Sequence, residues 1–118
     1  MPRILSVSYD ESLLNIRELM LEEHGYEVVS ALGFTEGMKH CQPNAEFDLF
    51  ILGHSIPLAD KQALVQAFRA SSPRGMVLAL KRGNEQLHET GADFQVDPTD
   101  PKALLNMVTV MTKARTAA

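Results

Sequence analysis

The chain has 118 residues, 45% of them hydrophobic, a net charge of −4 and one cysteine, Cys41. That length suits one domain, residues 1–118, with a real core. The charge argues against a surface built on nucleic-acid phosphates, since only Lys81 and Arg82 are adjacent among scattered basic residues. One cysteine excludes a disulfide framework and a thiolate metal cluster.

In chain order, Ile4–Ser8 reads as a first strand. Asp10-Glu11-Ser12 opens a helix, because Asp and Ser side chains satisfy free N–H groups and early acids suit the helix dipole. Leu13, Ile16, Leu19 and Met20 follow at helical spacing as its apolar face, widened by Leu14 and Leu21, and His24-Gly25 ends it. Glu27–Ala31 is a second strand, and Phe34–Cys41 a short helix weakened by Gly37. Phe47-Asp48-Leu49-Phe50-Ile51-Leu52 is a nearly unbroken apolar run stopped by Gly53, as suits a strand buried on both faces of a parallel sheet. Gly53 lies where such sheets place their ligands, yet it has no side chain to do chemistry with.

Ser55–Asp60 reads as a loop, then Lys61–Ala70 as a helix with Leu64, Val65 and Phe68 on one side. Met76–Leu80 is a fourth strand. Asn84–Thr90 leaves room for only about two helical turns before Gly91. Phe94–Val96 is a fifth strand, and Asp100-Pro101 opens a last helix with Leu104, Leu105, Val108 and Met111 on one face. The tail from Lys113 to Ala118 is expected to fray. Strand and helix alternate five times, which predicts an α/β three-layer αβα sandwich with a parallel sheet. No apolar segment approaches membrane-spanning length, and Met1–Leu5 is too short for a signal peptide. The expectation is a soluble cytoplasmic domain that contacts neither membrane nor nucleic acid.

The whole pattern resembles the receiver domain of two-component response regulators. The resemblance is carried by Ile4-Leu5-Ser6-Val7, His24-Gly25-Tyr26-Glu27-Val28, Phe47–Leu52, Pro57, Gly91-Ala92-Asp93 and Pro98 before the last helix. It implies a flavodoxin-like five-stranded sheet in the order 2-1-3-4-5, here with a shortened fourth helix. It also implies a phosphoryl-transfer site: an acid pair after the first strand holding Mg²⁺, an aspartate ending the third, a Thr or Ser ending the fourth and a Lys ending the fifth. Mg²⁺ needs hard oxygen ligands, and the cations offset charge on the transferring group.

Carried over residue by residue, that site is missing. The acid pair falls on Ser8 and Tyr9, with Asp10 the one acid left nearby. The phosphoacceptor falls on Gly53. The Thr/Ser position falls on Lys81, with Leu80 the alternative, and the Lys falls on Asp97. The aromatic that signals in active receivers falls on Phe94. Asp10 reads as a helix cap rather than a Mg²⁺ ligand. Lys81 and Asp97 are expected to pair across adjacent strands, with two separate solvent-exposed charges as the other reading. His54 reads as a plain loop histidine, with phosphohistidine or pH sensing as the other reading. His24, His40 and His88 lack ligand spacing, and Cys41 reads as a small half-buried residue.

The resemblance thus implies a degenerate receiver, independent of phosphorylation, with no catalytic residues, metal or cofactor. It would act by contact with a histidine kinase, an output domain or another signalling protein. A homodimer through the fourth helix, fifth strand and fifth helix is the other expected contact. The alternative is a small-ligand sensor using the same sheet edge. An enzyme on a flavodoxin-like scaffold is a distant third, since no Gly-rich phosphate loop, nucleophile–base pair or ligand cluster is present.

Overall fold

The computed structural model describes residues 2–117. Five parallel strands, β1 (Arg3–Ser8), β2 (Glu27–Leu32), β3 (Leu49–Leu52), β4 (Met76–Leu80) and β5 (Phe94–Val96), form one sheet in the order β2-β1-β3-β4-β5. Five helices alternate with them: α1 (Glu11–Glu23), α2 (Phe34–Lys39), α3 (Leu58–Ser71), α4 (Leu87–Thr90) and α5 (Pro101–Ala117). The architecture is the flavodoxin-like α/β sandwich. β3 is its centre, with all four residues fully buried. In register it places Ile51 between Ser6 of β1 and Leu78 of β4.

Alternation along the strands feeds two cores. Leu5, Val7, Phe50 and Leu52 pack with Leu64, Val65 and Phe68 of α3 on one face. Ile4, Leu49, Ile51 and Leu78 pack with Leu21 of α1 and Leu104, Val108 and Met111 of α5 on the other. Residues i and i+2 of a strand share a face. Gly53, two residues beyond Ile51, is therefore carried toward the α1/α5 layer.

Several boundaries differ from expectation. α3 begins three residues early, at Leu58, with extended Pro57 before it. α2 stops at Lys39. α4 is a single turn starting at Leu87, fixed by reciprocal bonds between Gln86 and Glu89. Gly25 and Gly91 end their helices at positive φ, as expected. The frayed tail is corrected: α5 runs on to Ala117, and Ala118 lies outside the described residues.

The apolar face expected for α1 is also corrected. Leu14, Arg17 and Leu21 are the buried positions, while Ile16 and Leu19 are 60% and 61% exposed. The buried stripe carries an arginine, so hydrophobicity alone points to the wrong side of the helix.

Gly37 weakens α2 as a helix former but has a packing role. A Cβ there would stand 2.9 Å from Leu64 Cδ2 and 3.2 Å from Val7 Cγ1, so the missing side chain lets α2 lie against β1 and α3. Alanine at a helix interior ordinarily stabilises by about 1 kcal/mol over glycine. Overpacking costs about 1–3 kcal/mol. Gly37→Ala is therefore expected to lower stability by about 1 kcal/mol. A rise in the thermal midpoint would contradict this packing.

Candidate functional site

The candidate site is the carboxyl edge of the sheet, where β1 and β3 both end. The β1–α1 turn builds its first wall. Ser8 is buried, and its Oγ accepts from the Asp10 N–H at 3.0 Å and donates to the Asp10 carbonyl at 3.1 Å. This pins the turn and leads into α1. Asp10 is the N-cap, its carboxylate accepting from Leu13 N–H at 3.1 Å. The capping expected of Asp10 is what the structure shows. Tyr9, half-buried, donates its phenol O–H to Asp60 Oδ2 of α3 at 2.8 Å. Burial, then the bond and charge of Asp60, push its phenol well above the ordinary value.

Gly53 forms the floor. A Cβ there would meet Ser8 Oγ at 3.2 Å, Arg17 Nη1 at 3.3 Å and Ser8 Cα at 3.3 Å. So the position read as the phosphoacceptor's is bordered by a hydroxyl on one side and a guanidinium on the other. Arg17 reaches it from the middle of α1 and is 6% exposed. Its Nη1 has no hydrogen-bond partner. Burial pushes its pKa down from the ordinary value, and the charge of Asp10 opposes that shift.

The expected Lys81–Asp97 bridge is corrected. Both residues are exposed. The Asp97 carboxylate accepts from Thr99 N–H at 2.8 Å and Thr99 Oγ1 at 2.7 Å, and these bonds hold its pKa below the ordinary value. Lys81 is the weakest of the influences on it. The Lys81 N–H donates to the Val96 carbonyl at 2.9 Å, so its role here is to join β4 to β5. Leu80, the alternative position, is buried at the end of β4.

A different cation sits behind that strand end. Lys61, in the first turn of α3, is completely buried. Its Nζ donates to the Leu80 carbonyl at 2.9 Å and to Glu85 Oε1 at 2.5 Å. The Glu85 side chain is itself only 6% exposed. Burial lowers the Lys61 pKa, and the hydrogen bond and charge of Glu85 oppose that. By residue type Lys61 is one of several scattered charges. The available signal was its spacing, because positions 61, 64, 65 and 68 form one helical stripe.

His54 Nδ1 and Ser55 Oγ, in the loop after Gly53, are buried without partners. Phe94 is 39% exposed on the edge strand. Cys41 is half-buried, and burial raises its thiol pKa. Among the described residues, no three His, Cys, Asp or Glu side chains gather closely enough to hold a metal ion, and no helix is long and apolar enough to cross a membrane.

No protein-family model and no curated protein sequence matches the chain. Solved structures do. A receiver domain protein (CheY-like) from Methanospirillum hungatei superposes with a TM-score of 0.79 at 23% identity, covering 99% of this chain and 98% of that one. An adenylate cyclase from Rhodopirellula baltica gives 0.80 at 22% identity over 96% and 88%. A complex of histidine kinase ThkA with response regulator TrrA gives 0.75 at 22% identity over 94% and 98%. At these identities the likeness is one of fold.

Proposed function

We propose that this chain is a degenerate receiver module, independent of phosphorylation, that transmits signals by protein contact. One observation carries the reading: the Arg17 guanidinium lies against Gly53. A phosphoryl-accepting site needs a carboxylate there and oxygen ligands for Mg²⁺ beside it. Here the neighbours are a glycine, a serine engaged with its own turn, and a buried cation that repels a metal ion. The fold shared with receiver domains, one of them solved with a histidine kinase, supports a protein partner in a two-component type pathway. The α4–β5–α5 face supports it too, because each element exposes one large apolar side chain: Leu87, Phe94 and Val110. That face is the proposed contact for a partner or for a second copy.

Incubation with acetyl phosphate and Mg²⁺, followed by intact mass measurement, tests the reading. The mass is expected to stay unchanged. Gain of one phosphoryl group would overturn it.

A further inference from the structure

We propose that the groove at the amino edge of the sheet is a receptor for a free α-amino acid with a cationic side chain. The groove lies between the loop joining α2 to β3 and the turn joining α3 to β4, at the opposite edge from Gly53. It shares no residue with the carboxyl edge, so the proposal is independent of the receiver reading.

The starting point is backbone strain. Among the described residues, two that are not glycine have positive φ, Asn44 at 71° and Glu46 at 52°. Asparagine visits this region readily, whereas glutamate is disfavoured there. Both residues line one cavity of about 410 Å³. That volume falls within the ~300–1,000 Å³ of small-ligand pockets. Strain of this kind persists only where the surroundings impose it, and it gathers at ligand sites. Here the surroundings are braced. Arg3 Nη1 donates to the Ala45 carbonyl at 2.6 Å, and its guanidinium carbon lies 4.6 Å from the centre of the Phe47 ring. Ser72 Oγ accepts from the Phe47 N–H at 3.1 Å, which ties the loop to the turn.

The charges define the ligand. Glu46, Asp48 and Arg74 line the groove. Glu46 and Arg74 are exposed, and neither is ion-paired with the other or with any other described residue. Asp48 Oδ2 accepts from the Arg3 N–H at 2.8 Å and adds its negative charge to the lining. Arg3 itself does not line the groove and pairs with Glu27. Two carboxylates and one guanidinium complement two cationic groups and one carboxylate, the charge pattern of a basic amino acid. The Arg74 fork matches the ligand carboxylate in a two-point geometry. Glu46 accepts from its α-ammonium, and Asp48 attracts its side-chain cation. Ser72, also in the lining, is 4% exposed, and its hydroxyl proton has no acceptor among the described residues. It supplies a second donor for the ligand carboxylate. The net negative lining repels simple anions and acidic amino acids.

The probe is L-lysine, titrated into the intact protein with detection by backbone amide NMR. L-Norleucine lacks the side-chain cation, cadaverine lacks the carboxylate, and L-glutamate reverses the side-chain charge. Lysine is expected to give saturable shifts at residues 44–48 and 72–75. Cadaverine and glutamate are expected to bind at least about tenfold more weakly, and norleucine at least about threefold. Arg74→Gln and Glu46→Gln, both at exposed positions, are each expected to lose at least about tenfold in lysine affinity without a change in thermal midpoint. Glu46→Gly relieves the positive φ and is expected to lose binding while raising the midpoint. Absence of saturable lysine binding, equal binding of any comparator, full affinity in either Gln variant, or a lower midpoint for Glu46→Gly overturns the proposal.

Discussion

Glu85→Ala is expected to destabilise the fold by about 3–5 kcal/mol, the cost of leaving a buried ion without its partner. Typical domains hold about 5–15 kcal/mol in all, so this one substitution removes a large share of the total. The reason lies in Lys61, whose ammonium is fully buried and whose other partner is the neutral Leu80 carbonyl. Denaturant midpoints measure the loss. A deficit below about 1 kcal/mol would mean that the pair behaves like a solvent-exposed one. The pH dependence separates a buried charge from simple loss of packing. Burial already lowers the Lys61 pKa, and removing Glu85 removes the influence opposing that shift. Below the unfolded lysine value of about 10.4, the unfolded chain then holds a proton that the folded variant gives up readily. Stability rises with pH where the unfolded state binds more protons. The deficit of Glu85→Ala should therefore shrink as pH climbs toward that value. Lys61→Met with Glu85→Leu should recover most of the loss, since apolar replacement of a buried pair is often neutral or favourable.

Phe68→Ala is expected to cost about 3–5 kcal/mol, the range for emptying an aromatic from a close-packed core. Phe68 is fully buried in α3, and its ring meets that of Phe50 on the central strand at 4.6 Å between centroids, tilted by 36°. It also lies over Gly75, where a Cβ would come within 2.6 Å of its Cζ. No neighbour can collapse into the space without moving either the β4 approach or the central strand. The denaturant midpoint should fall with the m-value unchanged, which marks lost stability rather than an altered unfolded state. A loss under about 1 kcal/mol would show that the site relaxes freely.

These two residues also show what a sequence makes legible. Phe68 sits at helical spacing with Leu64 and Val65, and its burial follows from periodicity. The five strands, the bounds of β4 and β5 and the short span left for the fourth helix were readable for the same reason, short apolar runs separated by strong breakers, while the strand order was implied by the resemblance to receiver domains. Lys61 and Arg17 were not readable by residue type, because charged side chains belong at the surface by default. Their positions gave a signal that hydrophobicity could not: Lys61 completes the stripe 61, 64, 65, 68, and Arg17 completes 14, 17, 21. A long charged residue on an apolar stripe asks for a buried partner. Placing them needed tertiary structure, since Glu85 is 24 residues from Lys61, and Gly53, which Arg17 lies against, follows the end of β3 rather than any part of α1. The Lys81–Asp97 pairing failed on local chemistry. Asp97 precedes Pro98-Thr99, and the short Asp–Thr turn captures the carboxylate before a cross-strand lysine can.

The opening turn of α3 carries a further consequence, for the order in which the molecule assembles. Asp60 and Lys61 are neighbours, yet one holds Tyr9 and the other holds Leu80 and Glu85. One helical turn thus ties together two loops, one reached 51 residues earlier in the chain and the other 24 residues later. Contacts of such separation carry a loop-closure cost before they give anything back. The splice belongs to the late stage of folding, after the sheet has brought the loop ends together. Interactions absent from the transition state act mainly on the rate of escape from the native state. The carboxyl edge of this sheet is accordingly expected to act as a latch on unfolding, contributing more to how long the domain lasts than to how fast it forms.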